Sequence, residues 1–164
     1  MGCRSTTFAI LTATLLLAGG AGVARAEDSV TVELGNRSDG SMFLTFDHRP
    51  VTAGKVTFHI KNVSKDMEHE FIVGRTALHL DELPLTGDGT QIDEEKALSE
   101  IHELEDLAPG DSGTLVVHLQ PGHYVALCNL PGHALAGMAT EFEVVPESGS
   151  LQTGAVAKPG TVTR

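Results

Sequence analysis

The chain has 164 residues, 22 of them acidic against 11 basic, for a formal net charge of −11, with 41% hydrophobic and 4% aromatic residues. These totals suit one modest globular domain and are too apolar for a wholly disordered chain. The acid excess repels phosphate backbones, which argues against nucleic acid as a partner, and no apolar run is long enough for a membrane-spanning helix.

Residues 1–26 read as an export signal peptide. Arg4 gives a positive start, Phe8 to Ala18 forms an apolar run, and Ala24-Arg25-Ala26 has the small-x-small cleavage pattern. No Cys follows that run and no twin-Arg pair precedes it, so a soluble exported form is expected. A cell without an outer membrane would lose such a protein, which points to the periplasm. Removing the 26 residues takes away Arg4, Arg25 and no acid, leaving 138 residues at a net charge of −13. Cys3 leaves with the leader, so the domain expected over 27–146 carries a single cysteine, Cys128. Cysteines in an oxidising compartment usually pair, and an unpaired thiol there is exposed to oxidation unless something occupies it.

From Ser29 onward short β-type segments alternate with turn residues. Strands are predicted over Ser29 to Leu34, Ser41 to Phe46, Lys55 to Asn62, Met67 to Val73, Gly113 to Leu119, His123 to Cys128 and Thr140 to Val145. In the third, Val56, Phe58 and Ile60 share one face and Thr57, His59 and Lys61 the other, as in a half-buried sheet. Seven strands without βαβ spacing predict an all-β protein of two packed antiparallel sheets. Residues 81–111 interrupt this rhythm with 11 Asp and Glu and one Lys. Within them, Leu98, Ile101 and Leu104 recur at helical spacing, so an amphipathic helix over Asp93 to Leu107 is predicted on an acidic excursion between strands. Its acid is read as a solvated helix face. Residues 147–164, rich in Gly, Ser and Thr, are expected to form a flexible tail.

The chemistry concentrates in Cys128-Asn129-Leu130-Pro131-Gly132-His133-Ala134-Leu135-Ala136-Gly137-Met138, a C-x4-H-x4-M loop between two predicted strands. Thiolate, imidazole and thioether lie on one turn-rich segment in which Pro131, Gly132 and Gly137 allow the chain to fold back. Sulfur with imidazole selects copper, and two His with one Cys and a long axial Met is the ligand set of an electron-transfer copper site. The loop lacks the second histidine. His69 is the best candidate, because strand parity places it with Met67, Phe71 and Val73 on a largely apolar face, and closure of two sheets can bring distant strand ends together. The remaining histidines, His48, His59, His79, His102, His118 and His123, are expected mostly at the surface.

The loop and the His69-Glu70-Phe71 strand resemble the cupredoxins, the small blue copper proteins, and the ligand spacing is similar to that of their rusticyanin-like members. The resemblance implies a Greek-key β-sandwich with one copper ion at one end, His69, Cys128 and His133 as equatorial ligands and Met138 as the axial one. It also implies that Leu130, Pro131, Ala134, Leu135 and Ala136 form an apolar surround to His133, the electron port. Members with the better-known ligand loops commonly carry Asn after the first ligand histidine; here Glu70 stands in that place. Multicopper oxidases place histidines on both sides of the cysteine, whereas Leu127 and Asn129 flank Cys128, and no Ser/His/Asp, P-loop or paired-carboxylate framework is present. The expectation is therefore a one-electron carrier and not an enzyme, acting as a monomer on a redox partner such as a cytochrome with a basic face. The alternative is a periplasmic copper-binding protein for copper tolerance or delivery, since further His and Met residues offer additional soft ligands.

Overall fold

The structure is a computed structural model that describes residues 27–147. The predicted signal peptide and all of the predicted tail after Glu147 lie outside the described residues. Nine strands form among the described residues: β1 (Glu27–Asn36), β2 (Met42–Phe46), β3 (Val51–Thr52), β4 (Gly54–Asn62), β5 (His69–Arg75), β6 (Ser99–Leu107), β7 (Ser112–Leu119), β8 (Gly122–Leu127) and β9 (Ala139–Val145). A 3-10 turn at Leu80–Glu82 and one helical turn, α1 (Glu94–Ala97), lie between β5 and β6. No helix among them is long and apolar enough to cross a membrane.

The strands make two sheets, in the orders β2-β1-β4-β7 and β3-β9-β8-β5-β6. Alternation does what it promises in the first sheet: Val30, Val32 and Leu34 of β1 and Val56, Phe58 and Ile60 of β4 are buried, while Thr57, His59 and Lys61 face outward. The second sheet supplies Phe71, Val73, Tyr124, Ala126, Phe142 and Val144 to the same core. Phe58 meets Phe71 at 5.2 Å between ring centroids and Phe46 meets Phe142 at 5.1 Å, tying the layers together with aromatic contacts. All seven predicted strands form, and the all-β sandwich holds.

Two expectations are corrected. The sheets are mixed, because β1 pairs parallel with β4 and β3 parallel with β9. After β2 the chain crosses to the second sheet as β3 and returns on the far side of β1, so β4 runs in the same direction as β1. The helix predicted over Asp93 to Leu107 is also wrong for most of its length, since only Glu94–Ala97 is helical and Ser99–Leu107 is a strand. The cause is visible in the register. His69 pairs with Leu107 and Phe71 with Leu104, then Val73 with His102 and Arg75 with Ser99, so β6 carries one extra residue in each interval. Asp106 (φ 54°) and Glu100 (φ 51°) absorb these bulges. Pairing with β5 thus holds the segment extended, and the Leu98, Ile101 and Leu104 spacing marks no single face: Leu98 precedes β6, Ile101 is 38% exposed and Leu104 packs against the core.

The middle of the second sheet, β5 and β8, is buried on both faces. Ile72, Val125 and Leu127 turn away from the sandwich core and are covered by Leu83, Ile92 and Ala97 of the excursion. Apolar residues at consecutive positions in β5 and β8 follow from this second layer. Truncation of Phe58, fully buried between the sheets, to Ala should lower the unfolding free energy by about 3–5 kcal/mol in denaturant titrations. Val116→Ala, at a side chain 55% exposed, should change it by less than about 0.5 kcal/mol.

Candidate metal centre

The site is built by strand pairing. β5 and β8 are antiparallel neighbours with Ile72 opposite Leu127 and Val73 opposite Ala126. Continuing that register past the end of β8 puts Cys128 beside Phe71 and the ligand loop beside His69. His69 and Cys128 thus meet within one sheet, and not by closure of two sheets as the sequence suggested. Both are fully buried, as is Met138, whereas His133 is half-buried at the rim. One ligand atom from each of His69, Cys128 and His133 lies within 4.8 Å of the other two. The two Nδ1 atoms are 3.2 Å apart and Cys128 Sγ is 3.3 Å from His133 Nδ1.

The loop is closed by its own backbone. Cys128 N–H donates to Met138 O at 3.0 Å and Met138 N–H to His133 O at 3.0 Å, so the residues that bear the three soft or borderline donors are stapled to one another. Gly137 is required there: its φ is 109° and a Cβ would lie 2.8 Å from the Met42 carbonyl oxygen. On the adjacent peptide, Met42 N–H donates to Ala136 O at 2.8 Å, which docks the loop on β2. Met138 shares the buried cluster of Cys128.

Four residues absent from the predicted site, Ser64, Asn62, Glu70 and Asn129, hold it in place. Ser64 Oγ is 2.7 Å from His69 Nε2. With Nε2–H given to Ser64, the ring keeps a lone pair on Nδ1, facing the cluster, an outer contact typical of metal-bound histidines. Ser64 is itself set by Asn62, whose Oδ1 accepts the Ser64 N–H while its amide donates to Met67 O and Leu107 O. Glu70 points its carboxylate at the loop, where Oε1 accepts the Asn129 N–H at 2.7 Å, and its own N–H points at Cys128 Sγ at 3.4 Å. Asn129 in turn joins the loop to the excursion through Ile92 N–H, Ile92 O and Glu94 Oε1. The signal for Ser64 was an Asn-x-Ser turn directly after a strand; nothing local marked Asn129.

Burial sets the protonation of the cluster. It pushes the Cys128 thiol up to about 11, with the nearby Glu70 charge adding to the effect, and lowers His69 to about 4, with His133 beside it acting in the same direction. His133 is lowered by burial as well, and Glu70 is raised chiefly by burial. Two neutral imidazoles, a thiol that must yield its proton on metallation, and a buried thioether on the same loop fit a copper ion, for which this softness is selective. No family model matches the chain, and no curated protein does. Among solved structures it is similar to a dithionite-reduced auracyanin from Roseiflexus castenholzii, 21% identical over 73% of this chain and 97% of that one, with a TM-score of 0.48. It is also similar to auracyanin B, at 22% identity over 77% and 94% with a TM-score of 0.46. A third is rusticyanin from Thiobacillus ferrooxidans, at 16% identity over 73% and 77% with a TM-score of 0.48.

Because His69 falls from its ordinary 6.5 to about 4 on folding, the unfolded chain binds more protons between those values. The metal-free protein should therefore lose stability as pH falls from about 6.5 to about 4, with the loss complete below that window. Denaturation midpoints across this range should fall less steeply for His69→Gln than for the parent.

Proposed function

We propose that this chain is an exported type 1 copper protein that carries one electron at a time, with one copper ion held by His69, Cys128, His133 and Met138. The supporting observation is the convergence of the His69, Cys128 and His133 ligand atoms within 4.8 Å of one another, where β5 meets the loop that ends at the buried Met138. Copper held there would supply a Cu(II)/Cu(I) couple, tuned by the Met138 thioether and by hydrogen bonds around the Cys128 sulfur.

The chain's own part is to hold the donors still and keep water away. Ser64 orients His69, the Glu70 N–H lies against the Cys128 sulfur, and the stapled loop restrains Met138. A frame held this way limits the rearrangement that accompanies a change of charge at its centre. At the rim, His133 is half-buried beside exposed Pro131 and Leu135, the latter 55% exposed, with Leu130, Ala134 and Ala136 partly covered. A small apolar surround of this kind suits a brief encounter with a redox partner. The net charge of −13 left by removal of residues 1–26 favours a partner with a basic face, such as a cytochrome. On this reading the protein is a monomeric periplasmic carrier and not an enzyme.

Added Cu(II) should give the oxidised protein an intense visible thiolate-to-copper absorption. Cys128→Ser should abolish the band, and Met138→Leu should keep it while moving the reduction potential. A parent that stays colourless with Cu(II), or a Cys128→Ser spectrum equal to the parent's, overturns the assignment. Electron transfer to a basic cytochrome, followed by stopped flow, should slow by about tenfold or more from low to high salt.

A further inference from the structure

A second set of metal-ligating side chains lies on the other face of β8. Alternation sends Tyr124 and Ala126 inward with Cys128, so His123 shares the outward face with Val125 and Leu127. On β9, Glu143 sits opposite His123 and Glu141 opposite Val125, which lines both carboxylates along the same outer face. His79, between β5 and the 3-10 turn that leads into the excursion, closes over them. Glu141 Oε2 is 3.1 Å from His79 Nδ1 and 3.3 Å from His123 Nε2, and the two rings meet edge to face at 5.7 Å. One ligand atom from each of the three side chains lies within 4.8 Å of the others.

The hydrogen bonding of His123 gives this cluster its meaning. His123 Nδ1 lies 2.9 Å from Glu143 Oε1. A carboxylate only accepts, so Nδ1 carries a hydrogen, and when the ring holds no second proton Nε2 presents a lone pair. That nitrogen is buried and has no hydrogen-bond partner. It faces the Glu141 carboxylate, another acceptor, so the arrangement becomes favourable only with a cation between the two. A histidine oriented by a carboxylate through its far nitrogen is the usual outer-shell device for a metal ligand. The spacing agrees, because donors about 2.0–2.1 Å from a tetrahedral ion stand about 3.3 Å apart.

We propose that His79, His123 and Glu141 bind a divalent transition-metal ion of borderline softness, Zn(II) or Cu(II), with Glu143 positioning His123. Two imidazoles argue against Ca(II) and Mg(II), which prefer all-oxygen shells, and the lack of a thiolate argues against Cu(I). The exposed side of His79 leaves room for water to complete the coordination, and the chain's acid excess raises the local concentration of cations. None of these residues belongs to the His69, Cys128 and His133 cluster, so the inference stands apart from the proposed electron carriage.

The test uses the full chain with Cys128→Ser, a near-isosteric change that weakens the first cluster, titrated calorimetrically with Zn(II) near neutral pH. One equivalent should bind, and His79→Ala or Glu141→Gln, both at solvent-facing side chains, should each weaken it at least tenfold. In ring-detected NMR spectra Zn(II) should displace the His79 and His123 signals, and circular dichroism should show the variants folded like their parent. An unchanged isotherm for His79→Ala overturns the proposal, as do His79 and His123 signals that stay in place. Failure of the parent to bind Zn(II) also overturns it and makes the cation between His123 and Glu141 a proton.

Discussion

The antiparallel pairing of β5 with β8 is the constraint on which the rest of the molecule depends. It fixes Ile72 opposite Leu127, and from that one register the buried imidazole of His69 arrives beside the buried thiol of Cys128, although 58 residues separate Glu70 from Cys128. A slip of one residue would turn His69 and Phe71 out of the core and Ile72 into it. Burial on both faces is what forbids the slip. The sandwich core holds Phe71 and Val73 on one side, and the excursion holds Ile72 on the other.

The acidic excursion is therefore part of the architecture as well as a solvated surface. Its apolar residues cover the outside of the second sheet, and several of its polar groups have local partners. Asp88 accepts hydrogen bonds from Thr86 and Thr90 and shapes the turn they share. Glu94 reaches Asn129, and Gln91 donates to the Asn129 carbonyl at 2.7 Å, so the residue next to Cys128 is held from outside the sheet. Glu70 takes up the Asn129 N–H from the sheet side. In this chain the ligand loop is clamped between a carboxylate on β5 and the excursion.

One strand contributes side chains to both candidate clusters. β8 carries Cys128 just beyond its inward end and His123 near the start of its outward face, roughly 16 Å apart at an extended rise of about 3.3 Å per residue. The inner cluster is dry, sulfur-containing and short of charge. The outer one is half-exposed and joined to carboxylates, which makes it harder and more hydrated. The difference follows from pleat parity and from which face the excursion leaves uncovered.

Much of this was legible from residue order alone. Period-two alternation marked seven strands because one face of each meets a core, and the C-x4-H-x4-M loop showed a thiol, an imidazole and a thioether on one segment because residue type and short spacing survive any fold. What failed was whatever depended on partners distant in sequence. β6 was misread because its extended conformation answers to pairing with β5, while the three-residue spacing of Leu98, Ile101 and Leu104, read locally, is indistinguishable from a helix. β3 has two residues, too few to carry a period. The roles of Ser64, Glu70 and Asn129, and the gathering of His79 with Glu141 across 62 residues, exist only once strands are in register. Local pattern reports how much of a side chain is buried and what chemistry it offers; which groups face one another is decided by pairing and layering, and those are properties of the folded chain as a whole.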